Sequence, residues 1–222
     1  RVLTLPVAVA SARFEQDASP EAVAALRERL GLEPQQRVII WVGYPVAFKR
    51  VPMLLEVFKL VAAQEPDARL LLVGDMRKAA EDLGALAGES GIADRVLMPG
   101  LVPHADLPAY YALASVYAHT SSYEGLPRVL SEAASAGLPL VGMDCVGVRD
   151  LIEDGVNGYL VPDLDRAGMA ARLVDLLRSP ERAQAMGAQG RQTVLAQYNV
   201  ADNAARVVES WRRAVELGLR VR

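Results

Sequence analysis

The chain has one cysteine, Cys145, in 222 residues, so no internal disulfide can staple it and a reducing compartment is implied. Its two histidines, His104 and His119, have no Cys or carboxylate at metal-ligand spacing, which argues against a bound metal. No apolar run reaches the ~18 residues that a membrane-spanning helix needs. No basic stripe accompanies the net charge of −3, so nucleic acid is not expected as a partner. There is no signal peptide and the first residue is Arg1 rather than methionine, so the chain reads as a piece of something longer. Neither G-x-G-x-x-G nor G-x-x-x-x-G-K-[ST] occurs, which removes the usual evidence for NAD or ATP. What remains is a composition of 52% hydrophobic and 23% charged residues, ordinary for a globular α/β protein.

Hydrophobic periodicity alternates between strand and helix. After a lead-in over residues 1–36, with an extended VLTLPVAVASARF and a helix over Ala22–Leu30, RVIIWVG (Arg37–Gly43) is a continuous apolar run ending in glycine. Such a run suits a strand buried on both faces of a parallel sheet. Helices are predicted at Pro52–Gln64, Ala79–Ser90 and Leu107–Ala114, with strands at Ala68–Val73, Arg95–Met98, Val116–His119, Leu140–Met143 and Gly158–Val161. The end of the chain is helical over Arg166–Arg178, Pro180–Ala196 and Val200–Leu217. This alternation predicts a doubly wound, Rossmann-like parallel sheet of about six strands flanked by helices, within a single domain over residues 1–222.

Ligands of open α/β sheets bind beyond the carboxyl ends of the strands. Three turns with unusual chemistry fall there: Gly43–Arg50, Gly74–Asp75 and Ser121–Pro127. The last belongs to SSYEGLPRVLSEAASAGLPLV, in which Pro127 and Gly137 bracket a helix of about three turns. Val129, Leu130, Ala133 and Ala134 share its apolar face, and Glu132 lies off that face beside Arg128. One carboxylate, Glu124, thus precedes the helix start and a second, Glu132, sits on its flank, with free amides between them that suit an anion. A glycosidase-like acid/base pair is the alternative, but a residue halfway along a helix is poorly placed to share a reacting centre with one before it. Lys49 and Arg50 in GYPVAFKR are cations near a helix start, which an anionic ligand would complement. Their plain alternative is a pair of solvated charges, as Glu124 can be a dipole-complementing acid and Glu132 a partner of Arg128. His119 either lines the crevice or is a structural histidine, and Cys145 is a small apolar filler.

The segment YEGLPRVLSEAASAGLPLV resembles the E-(x)7-E signature of the retaining glycosyltransferases of family 4, with Glu124 and Glu132 as its two acids. The resemblance extends over nearly the whole chain, through IIWVG with a downstream lysine, LLLVGD, RVLMPGLVPHADLPAYYALASVYAHTS and GVRDLIEDGVNGYLVPD. It implies the C-terminal, donor-binding half of a two-domain GT-B enzyme, with an acceptor-binding N-terminal domain elsewhere. By the same resemblance the donor is a UDP- or GDP-sugar, no metal or other cofactor is needed, and the acceptor is a saccharide or lipid-linked. A cytoplasmic location follows, with association at the inner face of a membrane through the absent domain. Carried over by position, Glu124 contacts donor sugar hydroxyls, Glu132 holds the ribose, and Lys49 neutralises phosphate. Amides of Gly125, Leu126 and Arg128 face the diphosphate, whereas Pro127 has no N–H to give. Met98, Pro99 and Gly100 lie against the base, and Gly43, Tyr44, Arg50 and Ser121 complete the donor site. Glu124 and Lys49 are the residues expected to serve catalysis.

Several positions depart from the family's pattern. Tyr44 stands where arginine is usual, Arg50 where glycine is usual, and Asp150 where glutamate is common. Val7-Ala8 and Ala10 replace Asn-Gly and aspartate in the lead-in. These changes leave open a second reading, a degenerate binding or scaffolding module, and a weaker third, a sugar-nucleotide epimerase.

Overall fold

A computed structural model of the chain describes Phe14, residues 18–198 and residues 200–216. The extended lead-in, with Val7, Ala8 and Ala10, lies outside the described residues, as does Leu217.

Six strands form one sheet: β1 (Arg37–Val42), β2 (Ala68–Val73), β3 (Val96–Gly100), β4 (Val116–His119), β5 (Leu140–Met143) and β6 (Gly158–Val161). Their order is β3-β2-β1-β4-β5-β6, and every neighbouring pair is parallel. The chain therefore winds outward from β1 to β3, returns, and winds outward the other way from β4 to β6. The reversal falls between β1 and β4, which pair through Ile39–Val116 and Ile40–Tyr117. In doubly wound sheets this switch point is where the connecting loops part and leave a crevice.

The helices are α1 (Pro20–Arg29), α2 (Val51–Ala62), α3 (Ala80–Glu89), α4 (Leu107–Leu113), α5 (Arg128–Ser135), α6 (Val146–Arg149), α7 (Arg166–Arg178), α8 (Pro180–Gln197) and α9 (Val200–Glu216). Alternating side chains of the strands feed two cores. Ile39, Trp41, Leu70 and Leu72 pack with α2 and α7 on one face. Val38, Ile40, Leu71 and Tyr117 pack with α1, α4 and α5 on the other. The apolar run of β1 is buried from Val38 to Val42, as a two-faced parallel strand requires. Ser19 caps α1, its Oγ accepting from the Ala22 amide at 3.2 Å.

Some boundaries move. α5 is eight residues long, about two turns rather than three, because Pro127 is its N-cap, in extended conformation, and not its first helical residue. Its other end closes at Gly137 (φ 79°), with Gly137 N–H donating to Ala134 O and Leu138 N–H to Ala133 O. This left-handed glycine closure satisfies the last carbonyls. β3 starts one residue late, since Arg95 ends a 3-10 turn over Ala93–Arg95, and runs on to Gly100. Pro99 is tolerated because β3 is an edge strand. α6 and a 3-10 turn over Ala47–Lys49 have no counterpart in the sequence reading. Arg50 follows that turn with φ 51° and ψ 42°, a left-handed conformation in which glycine is otherwise preferred.

Candidate functional site

The loops after β1 and β4 are tied to each other across the switch point. Thr120 donates its hydroxyl to Lys49 O at 2.7 Å, and the Ser122 amide donates to Phe48 O at 2.8 Å. From the far side, the Gly147 amide of α6 donates to Glu124 O at 3.2 Å. A Cβ on Gly147 would stand 2.2 Å from Gly125 O, so only glycine allows this approach. Gly74, after β2, is pressed on the β1 loop in the same way, a Cβ there falling 1.8 Å from Gly43 O. Together these contacts enclose a crevice of about 980 Å³.

All three predicted turns reach it. Gly43, Tyr44, Lys49, Gly74, Glu124, Leu126, Pro127, Arg128 and Glu132 line its wall. Asp75 does not; its carboxylate is held by Arg77 at 2.8 and 2.5 Å, which brings its pKa down to about 2. Arg50 also turns away, its guanidinium paired with Asp163. Ser121 is buried behind the wall, and Gly125 is exposed beside it. Met98, Pro99 and Gly100 do not line the crevice, whereas the next four residues, Leu101–His104, do. The extension of β3 to Gly100 explains this displacement.

On one side stands Glu124, its side chain 11% exposed. Its Oε1 accepts from Lys49 Nζ, and His119 Nε2 lies 3.2 Å away without meeting hydrogen-bond alignment. Burial alone would raise the Glu124 pKa. His119, Lys49 and Ser121 around it outweigh that and bring it to about 2. His119 is fully buried, and burial pushes its pKa below the usual value despite the neighbouring carboxylate. The sequence left its role undecided, since the strand-end position alone does not reveal a carboxylate five residues later folding back onto the ring.

On the other side stands Glu132, which is buried. Its partner is not Arg128: Tyr111 donates its hydroxyl to Oε2 at 3.1 Å, and His104 Nε2 is 3.3 Å from Oε1. Tyr111 belongs to α4 and is completely buried, so its phenol is pushed well above its usual pKa. His104 packs edge-on against Phe14, with ring centroids 5.4 Å apart. Between the two acids lies the start of α5, whose N-cap, Pro127, makes no side-chain cap. First-turn amides without a cap seek an acceptor. Arg128 is exposed there, a cation placed against the helix dipole.

Tyr44 is 61% exposed at the rim, beside Val46 and Phe48. Cys145 is half-buried against the second core, where burial raises its thiol pKa. Among the described residues no group of three His, Cys, Asp or Glu side chains is placed to hold a metal ion, and no helix is long and apolar enough to cross a membrane.

A parallel sheet wound in two directions, with a buried and a partly buried carboxylate, a lysine and an uncapped helix start at its switch point, defines a Rossmann-like domain with a polar crevice. Sequence comparison is more specific. The family model for glycosyl transferases group 1 matches residues 23–193, and the chain belongs to that family. It is 32% identical over 212 residues to a GDP-mannose-dependent alpha-(1-6)-phosphatidylinositol monomannoside mannosyltransferase of Mycolicibacterium smegmatis, covering 92% of this chain and 54% of that protein. It is also 32% identical to the alpha-D-kanosaminyltransferase of Streptomyces kanamyceticus, covering 95% of this chain and 53% of that one. The chain thus spans about half the length of these curated relatives. In fold it is similar to Anabaena HepE in complex with UDP, with TM-score 0.85 at 22% identity over 94% of this chain and 57% of that one. The fold is the Rossmann-like sheet of the GT-B glycosyltransferases.

Proposed function

We propose that this chain is the donor-binding domain of a retaining glycosyltransferase that moves a sugar from a nucleoside-diphosphate sugar to a saccharide or lipid-linked acceptor. One observation carries the reading: Glu124 and Glu132 flank the uncapped start of α5 and share one crevice with Lys49 at the sheet's switch point. In this arrangement Glu132 receives ribose hydroxyls, Glu124 receives hydroxyls of the donor sugar, and the α5 amides and Lys49 face the diphosphate. The base then lies against Leu101–His104, beyond the Met98–Pro99–Gly100 segment named from the resemblance. Catalysis is stabilisation of the departing diphosphate by a cation and amides already aimed at the developing charge. No metal is needed for this chemistry. The GDP-mannose dependence of the mycobacterial relatives and the UDP complex of HepE support a nucleotide-sugar ligand. The shared half-length coverage supports an acceptor-binding domain outside this chain, so the chain alone should transfer little or no sugar.

A second reading, a non-catalytic module with the same fold, is favoured by one specific observation. Tyr44 occupies the rim where the resemblance places arginine, and Lys49 is already neutralised by Glu124. Calorimetric titration of the chain with UDP, GDP and ADP separates the two. Binding of at least one supports the donor domain; no binding at millimolar nucleotide sinks it.

A further inference from the structure

His119 stands apart in this site. It is fully buried at the end of β4, at the switch point, and its ring stacks on Tyr117 with centroids 6.1 Å apart and planes 25° from parallel. Tyr117 is itself buried and donates to Val42 O at 3.4 Å, so the imidazole rests on a ring fixed to β1. Neither ring nitrogen has a hydrogen-bond partner of good alignment, which is costly for a buried polar side chain. Glu124 Oε1 lies 3.2 Å from Nε2.

The two oxygens of Glu124 are not equivalent. Oε1 takes Lys49 and faces His119, and Ser121 lies close enough to favour the charged carboxylate, whereas no well-aligned hydrogen bond reaches Oε2 from the described residues. Lys49 sits on a loop at the crevice wall, on a long side chain that a phosphate can draw away. His119 sits on a strand, beneath the wall, and has nowhere to go. When an anionic group claims Lys49, the imidazole is what remains to hold Oε1.

We propose that His119, neutral and carrying its proton on Nε2, is the positioning residue that anchors Glu124 Oε1 and so presents Oε2 to the hydroxyls of the donor sugar. The proposal rests on the donor-site reading above. It assigns His119 no contact with the ligand: its effect passes through Glu124. Its signature is therefore selective, falling on the sugar part of the ligand and not on the nucleotide part.

The test compares binding of UDP with UDP-glucose, and of GDP with GDP-mannose, to the whole chain and to His119→Met and His119→Gln. Met keeps apolar bulk without a donor, and Gln restores an N–H at the reach of Nε2. The expected result is that Met lowers affinity for the sugar nucleotide by about tenfold relative to the bare nucleotide, the loss of one hydrogen bond to a charged group, and that Gln recovers most of it. Equal loss for both ligands, or an unchanged ratio, overturns the proposal while leaving the donor reading intact. Binding of no nucleotide by the unaltered chain overturns both. A measurement that needs no core substitution is nitrogen NMR of the two histidines at pH 7. A neutral His119 ring protonated on Nε2 is expected, and protonation on Nδ1 alone or on both nitrogens overturns the proposal.

Discussion

Replacing Lys49 by Met tests the electrostatics of the site without any ligand. Met keeps the aliphatic stem against the crevice wall and removes only the charge. In the folded chain the Glu124 carboxyl is lowered from 4.5 to about 2, equivalent to about 3 kcal/mol at ~1.4 kcal/mol per pH unit. The side chain is mostly covered but borders an open crevice, so solvent screening leaves about 1–2 kcal/mol. Lys49 is the one formal cation touching Glu124 among the described residues. Its removal takes away one of the contacts, beside His119 and Ser121, that outweigh the upward push of burial. Unfolding in denaturant at pH 7, followed by circular dichroism, should therefore show the variant about 1–2 kcal/mol less stable. The pH dependence has a definite sign. A lowered carboxyl contributes stability that is complete above its unfolded value of 4.5 and is lost as pH falls toward about 2. The gap between the unaltered chain and the variant should thus be constant from pH 7 to about 5 and fall to less than half by about pH 3. A gap of the same size at pH 3 and pH 7 would mean that packing, not charge, distinguishes the two proteins. No gap at pH 7 would mean that the ion pair does not form in solution.

Other perturbations separate the parts of the crevice. Glu132→Ala should weaken nucleotide binding by about 1–3 kcal/mol, because ribose hydroxyls lose their acceptor; unchanged affinity in calorimetry rejects the ribose assignment. Lys49→Ala should weaken UDP or GDP more than the corresponding nucleoside, since a charge-assisted contact to phosphate is lost; equal effects on both count against a phosphate role. Gly147→Ala places a methyl 2.2 Å from Gly125 O and 2.8 Å from Glu124 O. It should cost roughly 1–3 kcal/mol of stability by overpacking, and it should also weaken sugar-nucleotide binding by moving the Glu124 loop. An alanine variant with unaltered melting and binding would show that α6 does not position that loop.

The sheet was legible because its strands carry continuous apolar runs, and a run such as Val38–Val42 has no other way to be buried on both sides. Helix positions were legible from Pro and Gly punctuation, as at Pro20, Pro180 and Gly137, although Pro127 shows how a proline can cap a helix instead of opening it. The acidic pair was legible because its motif is local, and Lys49 because it lies in the turn that follows the glycine-ended run of β1. What escaped is what long-range contact decides. Tyr111 and His104 reach Glu132 from 21 and 28 residues away, and the pattern around Glu132 suggested only Arg128, its neighbour on the same helix. α6 is a single turn with no periodicity to detect, yet it fixes the backbone of Glu124. Arg50 was weighed as a phosphate ligand from its place beside Lys49. The left-handed backbone at that residue instead directs its side chain toward Asp163.

The same contacts bear on how the crevice would take a donor. Each acid already has partners: Glu124 has Lys49, and Glu132 has Tyr111 and His104. The formal charges that line the crevice balance, Lys49 and Arg128 against Glu124 and Glu132, so an arriving diphosphate would exchange partners and not simply fill an unmet charge. Drawing Lys49 toward phosphate leaves Glu124 short of a cation just when sugar hydroxyls become available to it. On the donor-domain reading, diphosphate and sugar recognition are coupled through a single carboxylate, so a free monosaccharide, which cannot draw Lys49 away, should gain far less from Glu124 than the same sugar attached to its nucleotide. Exchange of this kind yields modest net affinity. On the donor-domain reading that is tolerable, because tight ground-state binding of the donor would deepen the barrier to transfer.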